Sequence, residues 1–184
     1  MDELALHILD LLENALAAGA GHLELTIIEE APADQLTIEV ADDGRGMNEE
    51  QAGAALAPFF TTRRTRRIGL GLPLLKSTAE QCGGNLTLAS QPGKGTRVTV
   101  TMALSHVDRP PLGNLGATIA AALGREEPPE FFYRHRVNGK EFTFSTAWLK
   151  TYLGEVPLQT APVLKWVQDY INQSVSELHG GEDS

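Results

Sequence analysis

Asp10 and Asn14 stand four residues apart in a stretch of helical periodicity, and His7 precedes Asp10 by three, so the three polar groups share one helix face. A carboxylate and an amide oxygen at that spacing suit a hard divalent cation that keeps most of its waters, as magnesium does when it bridges protein to phosphate. A solvated helix face has the same pattern, so the pair gains meaning only beside the other polar motifs of the chain. Asp42-Asp43-Gly44-Arg45-Gly46-Met47 ends a strand-like stretch, offering a carboxylate at a strand end and then backbone able to pass close to a flat ligand. After Pro58-Phe59-Phe60-Thr61-Thr62, the side chains Arg63, Arg64, Arg66 and Arg67 crowd into five residues, and guanidinium forks pair well with phosphate. Gly69-Leu70-Gly71 is read as a helix opening, where backbone N–H groups and the helix dipole meet an anion. Gly93-Lys94-Gly95-Thr96 enters a strand and carries a hydroxyl that suits a base or an ordered water.

The elements that position these groups follow from periodicity and punctuation. Leu4, Ile8, Leu11, Leu12, Ala15 and Leu16 recur at three- and four-residue spacings, predicting a helix from 3 to 18 that Gly19 ends. Residues 22–30 and 35–41 alternate apolar and polar around Pro32 and Asp34, an antiparallel strand pair. Asn48 is a good N-cap for a short helix through Leu56, a basic loop runs to Leu70, and a long helix is expected from Gly71 to Gln81 before Gly83-Gly84. Residues 85–90 and 96–103 read as strands about the turn at 92–95. Asp108-Arg109-Pro110-Pro111 looks like a stiff linker. Beyond it come a small helix at 114–123, a hairpin of 131–137 and 141–145 about the type I′ turn Asn138-Gly139, and helices at 147–153 and 161–178.

The balance of residues narrows the class. With 184 residues, 42% of them hydrophobic and 21% charged, the chain suits one main core and a smaller addition. A net charge of −9 disfavours nucleic acid and anionic membrane as partners, since counterion release needs a dense basic surface. No apolar run approaches the roughly 18 residues of a membrane span, the N-terminus lacks a secretory pattern, and the single cysteine, Cys82, has no internal partner. A soluble, cytoplasmic protein is expected.

Taken in order, the four chemical elements resemble the N box, the first glycine box, the F box with the second glycine box, and the terminal Gly-Thr of the GHKL superfamily, the gyrase, heat-shock chaperone, histidine kinase and mismatch-repair ATPases. The resemblance covers residues 3 to 104. It implies an α+β protein with the Bergerat fold, a two-layer α/β sandwich, here with a small C-terminal α/β appendage, and ATP and Mg2+ as cofactors. Residues 1–105 are read as the ATP-binding domain and 106–184 as a partner-docking or regulatory extension.

Carried over residue by residue, the resemblance implies that Asn14 ligates magnesium with Asp10 beside it, and that Asp42 accepts from the adenine amino group. Gly44 and Gly46 would shape the base pocket, and Thr96 would support adenine beside Asp42. Gly69, Leu70 and Gly71 would hold the phosphates, joined by Thr61, Thr62, Arg63 and Arg64 of a lid expected to order around a triphosphate. Superfamily ATPases carry a glutamate general base where this chain has Asp10, which would act through a second water. The phenylalanine-threonine lid and the Gly-Leu-Gly-Leu run at 69–72 are similar to histidine kinases, although Arg67 stands where that family has a first glycine. Glu13-Asn14-Ala15 with Ala18-Gly19-Ala20 is similar to mismatch-repair ATPases.

No phosphoacceptor hairpin fits before Asp2, and His7 is read as a partly buried or site-wall residue rather than a phosphoacceptor. The expectation is a stand-alone signalling kinase or ATPase acting on a separate partner or phosphoacceptor protein. The alternative is a nucleotide-gated interaction module with little turnover. Phe131, Phe132, Tyr133, Phe142 and Phe144 are expected to pack on Trp148 and Trp166, with Arg134, His135 and Arg136 facing water.

Overall fold

The computed structural model describes residues 3–57 and 66–180. Helix α1 (Leu4–Ala17) buries Leu4, Ile8, Leu11, Leu12 and Ala15 on one face, each full aliphatic side chain contributing about 1.5–3 kcal/mol. No side chain caps its start. Instead the N–H groups of Leu4 and Ala5 donate to the carbonyls of Pro111 and Leu112, both at 2.8 Å. The proline pair read as a linker therefore ends in a segment that satisfies two of the orphan donors of α1.

Strands β1 (His22–Glu30) and β2 (Gln35–Asp42) form the expected antiparallel pair. Helix α2 (Glu49–Leu56) starts at Asn48, whose side chain accepts from Gln51 N–H while the Gln51 side chain accepts from Asn48 N–H. Helix α3 (Arg66–Gln81) begins five residues before the expected Gly71. Arginine and leucine are good helix formers and one glycine costs only about 1 kcal/mol, so Gly69 and Gly71 do not delay the start. Pro73 inside α3 has no N–H, which deprives the Gly69 carbonyl of its intrahelical donor.

Strands β3 (Asn85–Ser90) and β4 (Thr96–Ala103) follow as expected, then helix α4 (Leu115–Leu123), capped by Asn114. The chain ends with β5 (Glu130–Val137), β6 (Lys140–Ser145), α5 (Thr146–Leu153) and α6 (Ala161–Leu178). Asn138 and Gly139 turn the second hairpin at φ of 50° and 88°, the handedness a type I′ turn requires.

The strands make one mixed sheet in the order β3-β4-β2-β1-β5-β6, and among the described residues six helices complete an α+β, two-layer sandwich. β1 is antiparallel to β2 on one side and parallel to β5 on the other. The C-terminal α/β addition is thus built onto the same sheet, and Leu25, Ile38, Tyr133, Phe144 and Ile171 belong to a single core. Residues on both sides of the expected 105/106 division contribute to that core.

Of the hairpin aromatics, Phe144 meets Trp148 edge-on at 6.3 Å as expected, but Phe142 and Phe144 also pack on Tyr170 of α6, and Phe132 lies on the opposite strand face under Arg134. One expectation is corrected. Arg134 and Arg136 face water, but His135 is fully buried, because strand alternation sets it with Phe131, Tyr133 and Val137 on the core face.

Candidate functional site

Asp42 is the last residue of β2, and the sheet register sets it directly opposite Thr96, the first residue of β4. Its Oδ1 accepts from Gly44 N–H at 2.7 Å, which folds the chain back toward the end of α1. The neighbouring Asp43 is otherwise engaged: it accepts from the N–H groups of Gly21 and His22 at 2.8 and 2.9 Å and pairs with His22 Nδ1 at 2.9 Å. Asp43 therefore fastens the entrance of β1, while Asp42 lines the cleft. Burial raises the carboxyl of Asp42 above the usual aspartate range, the charge of Asp43 adding to this and hydrogen bonds from Gly44 and Thr96 opposing it.

The glycines here answer to close backbone approach. A Cβ on Gly44 would come within 2.9 Å of the Ala18 carbonyl, and one on Gly46, at a φ of 69°, would lie 1.9 Å from the Gln91 carbonyl. Gly95, at a φ of 79°, runs equally close to the Asp42 carbonyl. Ser90 locks the three passages together, accepting from Met47 N–H at 2.8 Å, donating to the Gly95 carbonyl at 3.0 Å and meeting the Thr96 hydroxyl at 2.8 Å. Sequence reasoning missed Ser90. Its only signal was a polar residue at the end of a strand facing the glycine turn.

These passages wall a cleft of about 430 Å3 that brings together Asn14, Asp42, Gly46 and Thr96, with Leu11, Ala15, Met47, Leu88 and Val98 as its apolar surfaces. An adjoining depression of about 590 Å3 shares Asp42 and Thr96 but lies outside, against Glu49, Lys94 and Arg97. It includes none of the α1 side chains. Asp10 sits one helical turn before Asn14, and a Cβ on Gly71 would come within 2.8 Å of its Oδ2. The two helices thus meet across a carboxylate and a glycine. Gly69, Leu70 and Gly71 lie inside the first two turns of α3 rather than ahead of it. Thr61, Thr62, Arg63 and Arg64 lie outside the described residues. His7 is buried in α1 and does not line the cleft; burial lowers its pKa, and its Nδ1 has no hydrogen-bond partner among the described residues.

A family described as histidine kinase-, DNA gyrase B-, and HSP90-like ATPase matches residues 2–106. The chain belongs to this family. Its first half is accordingly a GHKL-type ATP-binding domain, similar to the catalytic domains of sensor histidine kinases. The chain is 32% identical over 112 residues to the sensor histidine kinase ZraS of Escherichia coli strain K12, covering 61% of this chain and 24% of that protein. It is 40% identical over 104 residues to the sensor protein kinase FleS of Pseudomonas aeruginosa, covering 56% and 25%. A third relative is the autoinducer 2 sensor kinase/phosphatase LuxQ of Vibrio cholerae, 35% identical over 109 residues, covering 55% and 13%. The chain therefore spans a quarter or less of these relatives.

The fold is similar to that of a solved N-terminal domain of a DNA repair protein, with a TM-score of 0.54 at 16% identity, covering 79% of this chain and 53% of that one. That share is larger than residues 2–106 make up, so the likeness of fold reaches into the C-terminal addition. No helix among the described residues is long and apolar enough to cross a membrane.

Proposed function

We propose that this GHKL-type domain binds Mg-ATP in the cleft between α1 and the β2–β4 strand ends and passes the γ-phosphoryl group to a separate protein. The observation that carries the reading is the convergence of Asn14, Asp42, Gly46 and Thr96 on one cleft, with Asp10 one turn before Asn14 and against Gly71 of α3. In this reading Asp42 accepts from the adenine amino group, supported by Thr96, while the apolar walls hold the ring. The donor set beside it consists of hard oxygens, the Asn14 amide and the Asp10 carboxylate on one helix face, which fits magnesium. Bound there, the ion would neutralise charge on the phosphates. Asp10 would orient or deprotonate an attacking water when hydrolysis competes with transfer. Gly69, Leu70 and Gly71 are read as lining the phosphate end, together with Thr61, Thr62, Arg63 and Arg64.

The partner side of the reading rests on residues 106–184. Trp148, Tyr152 and Trp166 leave 39%, 73% and 44% of their surface exposed on one aromatic face, the composition that protein interfaces favour.

The test pairs affinity with turnover. Asn14→Ala is expected to abolish the magnesium dependence of ATP affinity in calorimetry, and Asp10→Asn to slow turnover more than it weakens binding. If Asp10→Asn lowered affinity as much as turnover, Asp10 would act through the metal alone and not as a base.

A second reading, a nucleotide-gated module with little turnover, is favoured by one contact. Helix α1 carries Asp10 and Asn14 on one side, and its Ala5 carbonyl accepts from the buried Thr118 of α4 at 3.0 Å. Occupancy of the cleft thereby bears on the C-terminal addition through one rigid helix. Tight ATP binding with no hydrolysis and no labelled protein after incubation with γ-labelled ATP in lysate would favour it over phosphoryl transfer.

A further inference from the structure

At the far end of the sheet, two buried strand positions that alternation reserves for apolar residues are polar. On β1 the core face runs Leu23, Leu25, Ile27, Glu29, and on β5 it runs Phe131, Tyr133, His135, Val137. Burial of such groups is costly unless each finds a partner. Glu29 Oε2 lies 2.7 Å from His135 Nε2 and 2.8 Å from Nε2 of His179, the residue that caps the end of α6. Behind the rings, His135 Nδ1 is 2.6 Å from the Tyr133 hydroxyl and His179 Nδ1 is 2.9 Å from the Val175 carbonyl.

The protons decide what belongs between them. A carbonyl only accepts, so Nδ1 of His179 carries the hydrogen and Nε2 of the neutral ring turns a lone pair toward a carboxylate oxygen. Two acceptors 2.8 Å apart require a cation between them, either a second proton on the ring or a metal ion. Three features favour the metal. The ligand atoms of Glu29, His135 and His179 come from three separate elements and lie within 4.8 Å of one another. Each imidazole is held at Nδ1 by an oxygen and aims Nε2 inward, the arrangement of metal-bound histidines. The side chain of His179 is 38% exposed, which leaves an access route and a position for water.

We propose that Glu29, His135 and His179 form a binding site for a divalent transition-metal ion of the zinc class, which pins the end of α6 to β1 and β5. Two imidazoles and a carboxylate are a set that zinc accepts in tetrahedral geometry with water as the fourth ligand. Bonds of about 2.0–2.2 Å require neighbouring ligand atoms to stand roughly 3.3 Å apart, so the present contacts open by about half an ångström on binding. The site is remote from the cleft. Leu23 pairs with Asp42, and Glu29 lies six residues further along β1, about 20 Å at strand spacing.

The test uses the full chain, stripped with a chelator and titrated with Zn2+ by calorimetry and with Co2+ by visible absorption. One ion per chain is expected, with the intense d–d bands of tetrahedral cobalt and a rise in Tm on zinc addition. Removing an outer partner of a metal ligand typically costs 10- to 100-fold in affinity. On that scale Tyr133→Phe is expected to weaken binding about 10-fold and His179→Ala at least about 100-fold. His179→Ala lies at a solvent-facing helix end and is expected to keep its fold by circular dichroism and its ATP affinity. Glu29→Gln repeats the test at a second ligand. Absence of zinc and cobalt binding by the folded wild type would overturn the proposal. So would binding as tight in His179→Ala as in wild type, which would assign the ion to surface groups such as His22 with Asp43.

Discussion

The two ends of the β1–β2 strand pair solve the same problem in opposite ways. At one end Asp42 closes β2 beside glycines that allow backbone to crowd it, and it lines an open cleft. At the other, Glu29, next to last in β1, is buried in the core, and its carboxylate is spanned by two histidines. Both acids sit at strand ends on one sheet. They differ in what surrounds them: small residues and glycine at Asp42 leave a cavity, whereas Tyr133, His135 and His179 fill the space at Glu29. An acid that lines an open cleft and one enclosed by ring side chains are thus told apart by the volume left beside them, not by residue type.

The sharpest way to break this contrast is Glu29→Ala. It leaves His135 buried without its acceptor, and loss of one member of a buried charged network costs about 3–5 kcal/mol. Chemical denaturation is expected to show that loss, while the folded fraction keeps its ATP affinity; a loss below about 1 kcal/mol would mean that the network does not stabilise the fold. Asp42→Asn is expected to do the reverse. Replacing the charged acceptor costs about 1.5–3 kcal/mol of ATP binding, roughly 10- to 100-fold, with little change in unfolding. Unchanged affinity in calorimetry would remove Asp42 from the site.

Ser90→Ala bears on the scaffold of the cleft. It strips the acceptor from Met47 N–H and the partner from Thr96, so about 1 kcal/mol of stability and a few-fold of ATP affinity are expected to go together. A loss of stability with affinity untouched would show that Thr96 needs no orientation. The smallest effect is with pH. Because the Asp42 carboxyl titrates above its unfolded value, its contribution to stability is present below that value and lost as pH rises through the raised one. ATP affinity, which in the proposed reading needs the ionised acceptor, runs the other way and is expected to fall as pH is lowered through that raised value. Asp42→Asn should flatten that part of the profile.

Much of this was legible because the signals are local. Capping by Asn48 and Asn114, the Asn138-Gly139 turn and the strand alternation each depend on a few neighbouring residues, and the structure has those elements within a residue or two of expectation. The start of α3 was not, since the glycines at 69 and 71 outweighed arginine propensity in the reading but not in the fold. The parallel pairing of β5 with β1 could not be read at all, because no local pattern specifies which distant strand completes a sheet. Of the candidate site, Asp42 and Thr96 were visible as motif residues, yet their direct opposition depends on register. Glu29 and His135 were legible in principle: each interrupts an apolar alternation, which is the mark of a polar group facing the core.

The parallel neighbour of β1 has a consequence for the order in which the protein is made. Ala31 and Asn138, joined by a hydrogen bond at the end of that pairing, are 107 positions apart. A ribosome therefore delivers α1, β1, β2 and the whole β3–β4 hairpin long before β5 arrives, and through that interval one edge of β1 offers an unpaired row of backbone donors and acceptors. Closing so long a loop is the entropically expensive step, so docking of the C-terminal strands is expected to come last and to set the folding rate. Until then the nascent chain depends on dilution, chaperones or speed to keep that edge from pairing with a neighbour's.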